Sequence, residues 1–216
     1  MKKLVFSIGL IFIGFHTLLA QQNTLGISFK LYDPVSEFDD NISSALPAGI
    51  SFTYLRTPVE SRWSFGGELG VAMYSSNNYN VQYNSQSIKV NEEDCFWTLH
   101  GVLRYEIYRS ERFSTYAEGR LGMTTFFSST TALEEDTGFD DEFSFHGSAF
   151  NTGLGGGVSY KIGGIVWLNA GVNVHSGSRA DYRYMPESDQ TKTFDDGHFE
   201  SLTHYVGYRL GVLIDL

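Results

Sequence analysis

The chain holds one cysteine, Cys95, and it lies mid-chain. An internal disulfide and a lipid anchor on an N-terminal cysteine are thereby excluded, and Cys95 reads as a small apolar strand residue. Only four prolines occur, and no segment repeats apolar residues at the spacing of an amphipathic helix. Beyond the N-terminal segment there is no run of 18 apolar residues, so no transmembrane helix is expected. Positive charge is scarce as well: 15 Lys and Arg stand against 25 Asp and Glu, a formal net charge of -10. That balance argues against binding to nucleic acid or to an anionic membrane surface.

What the chain has in quantity is glycine, at 23 residues, and aromatic rings, at 15%. Together with the missing helical period, this composition suits a closed all-β architecture. Met1-Lys2-Lys3 and the apolar run from Leu4 to Leu19, ending at Ala20 before Gln21-Gln22, have the layout of a secretory signal peptide. The expected organisation is a leader over 1–20 and one domain over 21–216.

Cys95 to Phe126 sets the pattern for that domain. Cys95, Trp97, Leu99, Leu103, Tyr105 and Ile107 alternate with Phe96, Thr98, His100, Val102, Arg104 and Glu106, and after Arg109–Arg112 the alternation resumes from Phe113. A period of two is a strand signature, and strands of roughly 12 residues are long enough to cross a bilayer when tilted. Similar alternation recurs over 23–32, 46–57, 63–74, 146–161, 165–175 and 201–216. The connections run long, short, long, short, long, short, long, with the acidic residues concentrated in the long ones. This is the order of an eight-stranded antiparallel up-and-down transmembrane β-barrel, with both termini on the side of the short turns.

A soluble calyx would also have eight strands, with apolar residues inside. Here the charged face is also the face rich in Gly and Ser. A narrow interior accommodates small residues, so the bulky face points out to lipid. The charges then form an interior salt-bridge network of Lys30, Glu68, Arg104, Glu106, Glu118, Arg120 and Arg209. Counted from the short turns, Glu68, Arg104 and Glu118 share a layer, with Lys30, Arg120 and Arg209 further toward the long loops. A packed network is favoured over an ion path, because eight strands enclose little space. Trp63, Phe65, Tyr105, Phe113 and Tyr160, near the short turns, make a lipid-facing aromatic girdle.

Leu18-Leu19-Ala20-Gln21-Gln22, the strand Gly101-Val102-Leu103-Arg104-Tyr105-Glu106-Ile107-Tyr108 and the closing stretch Val206 to Leu216 carry a resemblance over essentially the whole mature chain. The chain resembles the small eight-stranded outer-membrane barrels of Gram-negative bacteria, of OmpA- and OmpX-like architecture, and the related PorT-like β-barrel proteins. The resemblance implies export to the outer membrane. It also implies outer-membrane lipid and lipopolysaccharide as surroundings, and an outer-membrane protein as a conceivable partner.

Some barrels of this size resemble lipid-modifying enzymes of the outer rim. His175 with Ser176 and Ser178, and His198 with Glu200, Ser201 and His204, are the residues that such chemistry would draw on. Neither segment carries a deacylase signature, and rim polar residues are the preferred reading. Glu134 to Glu142 offers clustered oxygens for a hard cation without the spacing of an EF-hand, so a solvated acidic loop is preferred. No catalytic residue, metal ligand or cofactor is assigned. The expected role is that of a structural or interaction barrel, with an accessory subunit of a secretion or transport assembly as the alternative. A rim enzyme or a small channel ranks below both.

Overall fold

The structure, a computed structural model, describes residues 21–42, 46–83, 86–134, 140–183 and 198–216. The expected leader over 1–20 and the centre of the acidic run, 135–139, lie outside the described residues. In chain order the elements are β1 (Gln21–Val35), α1 (Glu37–Ile42), β2 (Ala48–Pro58), β3 (Trp63–Tyr83), β4 (Gln86–Arg109) and β5 (Phe113–Glu134). They continue with β6 (Asp140–Gly163), β7 (Val166–Gly177), β8 (Arg179–Arg183), β9 (His198–Leu202) and β10 (His204–Asp215). Eight of the strands form a closed antiparallel barrel in which β10 returns to pair with β1; β8 and β9 pair with each other.

Closure is staggered. A walk along directly paired residues from Thr24 passes Leu55, Gly66, Val102, Arg120, Gly153, His175 and Tyr205 and comes back to β1 at Pro34, ten residues further on. Strands with such a stagger are tilted by roughly 35–45° to the barrel axis. Every residue on the walk points inward, so the tilt decides which interior side chains share a height.

The short turns are tight. Ser61 N donates to Pro58 O at 3.0 Å and Ser110 N to Phe113 O at 2.8 Å. Gly164 takes φ +49, where a side chain would be strained, to reverse the chain between β6 and β7. At the other end β3 to β6 outrun their neighbours. β2 pairs with β3 only as far as Met73, and β7 with β6 only as far as Asn151. The ladders among β3, β4, β5 and β6 nevertheless continue to Gln86, Glu134 and Asp140, so a four-stranded sheet stands above the barrel. A bulge between Met73 and Ser75 marks where it leaves.

Several features depart from the expectation. The barrel strands are longer, with β4 and β6 reaching 24 residues. The connection after β1 contains α1, and the connection after β7 contains β8 and the start of β9. The last expected strand, 201–216, is divided: Ser201 and Leu202 belong to β9, and β10 begins at His204. A six-residue helix and five-residue strands are too short for their periodicity to stand out from a polar loop.

Candidate functional site

The barrel interior is the best-defined polar site. Its lower half is built from alternate residues of the strands. Glu118 on β5 accepts from Arg120 Nη2 at 2.8 Å, Arg209 Nη2 at 2.9 Å and Arg104 Nη2 at 3.1 Å. Glu68 on β3 pairs with Lys30 and Arg120, accepts from Thr53 Oγ1 at 3.2 Å, and faces Arg209 Nη1 at 3.5 Å. All six side chains are nine-tenths or more buried. In a region of low dielectric, two carboxylates shared among four cations hold each other by charge-assisted hydrogen bonds. Arg104 also lies over the Tyr116 ring, 3.9 Å from its centroid, and Tyr116 Oη accepts from Arg209 at 2.8 Å.

Below this layer stand two further acids with partners of their own. Glu106 pairs with Arg109 at 3.3 Å, and Asp215 accepts from Thr24 Oγ1 at 2.9 Å and Trp167 Nε1 at 2.8 Å. Arg104, Glu106 and Asp215 line a polar recess of about 50 Å³ there. Water occupies about 30 Å³ per molecule, so the recess has room for one or two. A far larger hollow, about 1150 Å³, lies on the outer wall at Gly67, Gly101 and Gly119, facing lipid.

Above the charges sits a neutral polar layer. Asn151 Nδ2 donates to Thr124 Oγ1 at 2.6 Å, which leaves Asn151 Oδ1 to accept from His100 Nε2 at 2.5 Å. The His175 ring stacks on Tyr205 with centroids 4.5 Å apart and lies 5.1 Å from His100. Gly153 makes this possible, because a Cβ there would come within 2.8 Å of the His175 ring.

Higher still, the interior turns apolar. Tyr32, Tyr74, Phe96 and Phe126 project from the strands and meet Phe38 and Ile42 of α1 and Tyr182 of β8, all buried. Edge-to-face pairs run from Phe38 to Tyr182 at 5.1 Å and to Phe126 at 5.8 Å. Ser36, at φ 61, turns the chain into α1. Glu37 then ties the helix to the other loop, accepting from Leu202 N at 3.1 Å and facing Arg179 Nη2 at 3.4 Å. Tyr182 Oη and Ser201 Oγ share a hydrogen bond of 2.7 Å across β8 and β9.

The expected layering is corrected on two points. Arg104 stands opposite Glu118 and pairs with it, whereas its partner position on β3 is Ser64; Glu68 stands opposite His100. Lys30, Arg120 and Arg209 reach the same two carboxylates, so there is one charge layer where counting from the turns gives two. That count neglects the stagger, which offsets strands on opposite sides of the barrel. Glu106 lies apart, at the mouth, with a side chain 16% exposed. Trp63, Phe65, Phe113 and Tyr160 are exposed on the outer wall, and Tyr105 packs on Trp63 with centroids 4.7 Å apart.

Among the described side chains, the rim residues considered for catalysis are engaged elsewhere. His175 is buried against Tyr205, Ser178 Oγ bonds Phe150 N at 3.0 Å, and His204 Nδ1 accepts from Gly177 N at 3.2 Å. Among the described residues there is no group of three metal-ligating side chains. Tyr116, Asn151 and Asn169 escaped the sequence reading; their inward parity was the available signal.

A closed eight-stranded barrel with lipid-sized apolar walls and a charged core defines a membrane barrel. The chain belongs to the outer membrane protein beta-barrel domain family, whose pattern matches residues 17–209. It is an integral protein of the bacterial outer membrane that crosses the bilayer with strands. No curated protein matches it. Among solved structures, a major outer membrane protein from Thermus thermophilus is 11% identical, covers 91% of this chain and 100% of its own, and superposes with a TM-score of 0.56. The attachment invasion locus protein Ail of Yersinia pestis, solved with the heparin analogue sucrose octasulfate, is 11% identical over 92% of this chain and 100% of its own, at 0.47. Neisserial surface protein A is 12% identical over 91% and 97%, at 0.45. The first of these supports the fold, and nothing further.

Proposed function

We propose that this protein is a sealed structural and interaction barrel, which holds the tall β3–β6 sheet above the outer membrane. The carrying observation is the filled interior: a dense layer of buried ion pairs below, and an aromatic layer closed by α1 and β8 above. Ions crossing it would have to separate charges buried at a cost of several kcal/mol and then displace stacked rings. Outer-membrane lipid and lipopolysaccharide are its immediate partners in this reading, which sets it beside the small barrels of OmpA- and OmpX-like architecture and the PorT-like proteins. Planar-bilayer recordings test the seal. Wild-type protein should give little or no stable conductance, and sustained ion-selective currents altered by Arg104→Ala would make it a channel instead.

The second reading, an accessory subunit of an outer-membrane assembly, is favoured by the protruding sheet itself. Beyond Met73 the ladder with β2 stops while β3 runs on to Tyr83, whereas on β6 the edge just past Asn151 is met by Ser178, whose N donates to Phe150 O at 2.7 Å, so β3 is the edge that no barrel strand continues. Edges of this kind accept an added strand. Co-purification from detergent-solubilised membranes separates the two: a stoichiometric partner lost on shortening the sheet supports the accessory role, and isolation as a single species supports the first.

A further inference from the structure

Charge in the lower interior does not close. Four cations, Lys30, Arg104, Arg120 and Arg209, gather on the carboxylates of Glu68 and Glu118, which leaves two positive charges over. Below them Glu106 and Arg109 cancel each other at 3.3 Å, and Asp215, held by the neutral donors Thr24 and Trp167, offsets one more. Over these five cations and four carboxylates one positive charge remains. Lys161, whose ammonium lies over the Trp167 ring at 5.4 Å, adds to it. Uncompensated charge at the edge of a low-dielectric interior is costly, and a counter-ion lowers that cost.

The recess of about 50 Å³ beneath the ion pairs is where that charge reaches open space, and Arg104 lines it. Arg104 Nε and Nη2 both go to Glu118 Oε2, at 3.3 and 3.1 Å, and the flat face of the guanidinium lies on the Tyr116 ring. Its Nη1 has no hydrogen-bond partner among the described residues. Ser64, directly opposite Arg104 on β3, lines the recess as well. Its hydroxyl shares one hydrogen bond of 2.7 Å with Thr57 Oγ1, and because each hydroxyl carries one proton, one of the pair is left to donate. Ser114, buried on the same wall, makes no side-chain hydrogen bond among the described residues and offers another donor. The carboxylates of the recess are already engaged, Asp215 through both oxygens and Glu106 by Arg109. A guanidinium edge flanked by hydroxyl donors, around room for one or two water-sized species, is the donor set of a small monovalent anion. We infer that the recess is an anion site of halide class, with Arg104 Nη1 as the charged donor and the hydroxyls at Ser64 and Ser114 completing the shell. It lies on the short-turn side of the packed charges, so it adds a binding site to the sealed barrel proposed above without opening a path through it.

Trp167 supplies the readout, because its indole lines the recess while Trp63 and Trp97 are exposed on the lipid-facing wall. In the full barrel carrying Trp63→Phe and Trp97→Phe, refolded in detergent with gluconate holding the ionic strength constant, iodide should quench Trp167 fluorescence along a saturating curve. Chloride should reverse the quenching. Arg104→Gln should weaken iodide binding by about tenfold or more, the scale of one charged hydrogen bond, and Ser64→Ala, which leaves every ion pair in place, by about threefold. Arg62→Gln, at the β2–β3 turn outside the recess, should leave binding unchanged. Quenching that rises linearly with iodide and ignores chloride would overturn the site, as would saturable quenching that neither Arg104→Gln nor Ser64→Ala alters. A loss in Arg62→Gln as large as that in Arg104→Gln would overturn it too, by marking general rim charge.

Discussion

Below His100 the barrel interior is filled by side chains of its own strands; above it, a large share comes from segments that connect strands. The lower filling is four cations gathered on two shared carboxylates, and the upper one is rings stacked by α1 and β8. The two respond differently to loss. A buried charge network fails when one shared partner goes, because the charges left behind are unpaired in low dielectric. An apolar lid fails by degrees, losing contact area ring by ring.

The largest effect should therefore come from Glu68. Its carboxylate holds Lys30 and Arg209, which stand directly opposite each other across the β1–β10 seam, and Arg120 as well. Glu68→Ala should cost about 3–5 kcal/mol in detergent unfolding, and a conservative Glu68→Gln should recover part of it. Phe38→Ala comes next, removing about 3 kcal/mol of lid docking. Because α1 is a short insert on the mouth, that loss should be read as faster amide exchange in α1 and β9, with the unfolding midpoint nearly unmoved. A midpoint shift as large as that of Glu68→Ala would mean that the lid is part of the barrel's cooperative unit.

Arg104→Ala should be milder, about 1.5 kcal/mol, the scale of one charged hydrogen bond. Glu118 keeps Arg120 and Arg209 when Arg104 is gone. Arg104 read from parity alone, as the sole counter-ion between Glu68 and Glu118, would cost as much as Glu68 itself. Chemical denaturation of the two variants side by side decides which account holds.

Sequence pattern revealed the lower half far better than the upper. Parity alone places Lys30, Glu68, Arg104, Glu118, Arg120 and Arg209 inside, since each falls on the small, polar face of its strand and opposite the bulky apolar one. It does not give their heights, because the ten-residue stagger is a property of closure and leaves no mark on any single strand. The lid was illegible for another reason. Phe38, Ile42 and Tyr182 sit in polar connections, where one ring among Asp and Ser carries no periodic signal, and only the fold brings them over Phe126. Phe96 and Phe126 did share parity with the charged set, and that mismatch was the one available hint that the interior becomes apolar toward the outside.

A double-mutant cycle separates the two halves most directly. Glu68→Gln combined with Arg209→Met lies within one layer, while Glu68→Gln combined with Phe126→Ala joins the layers. Unfolding free energies in detergent should show a coupling of about 1 kcal/mol or more for the first pair and additivity within about 0.5 kcal/mol for the second. Additive Glu68 and Arg209, or strong coupling between Glu68 and Phe126, would contradict an interior built from an electrostatic unit and a separate aromatic lid.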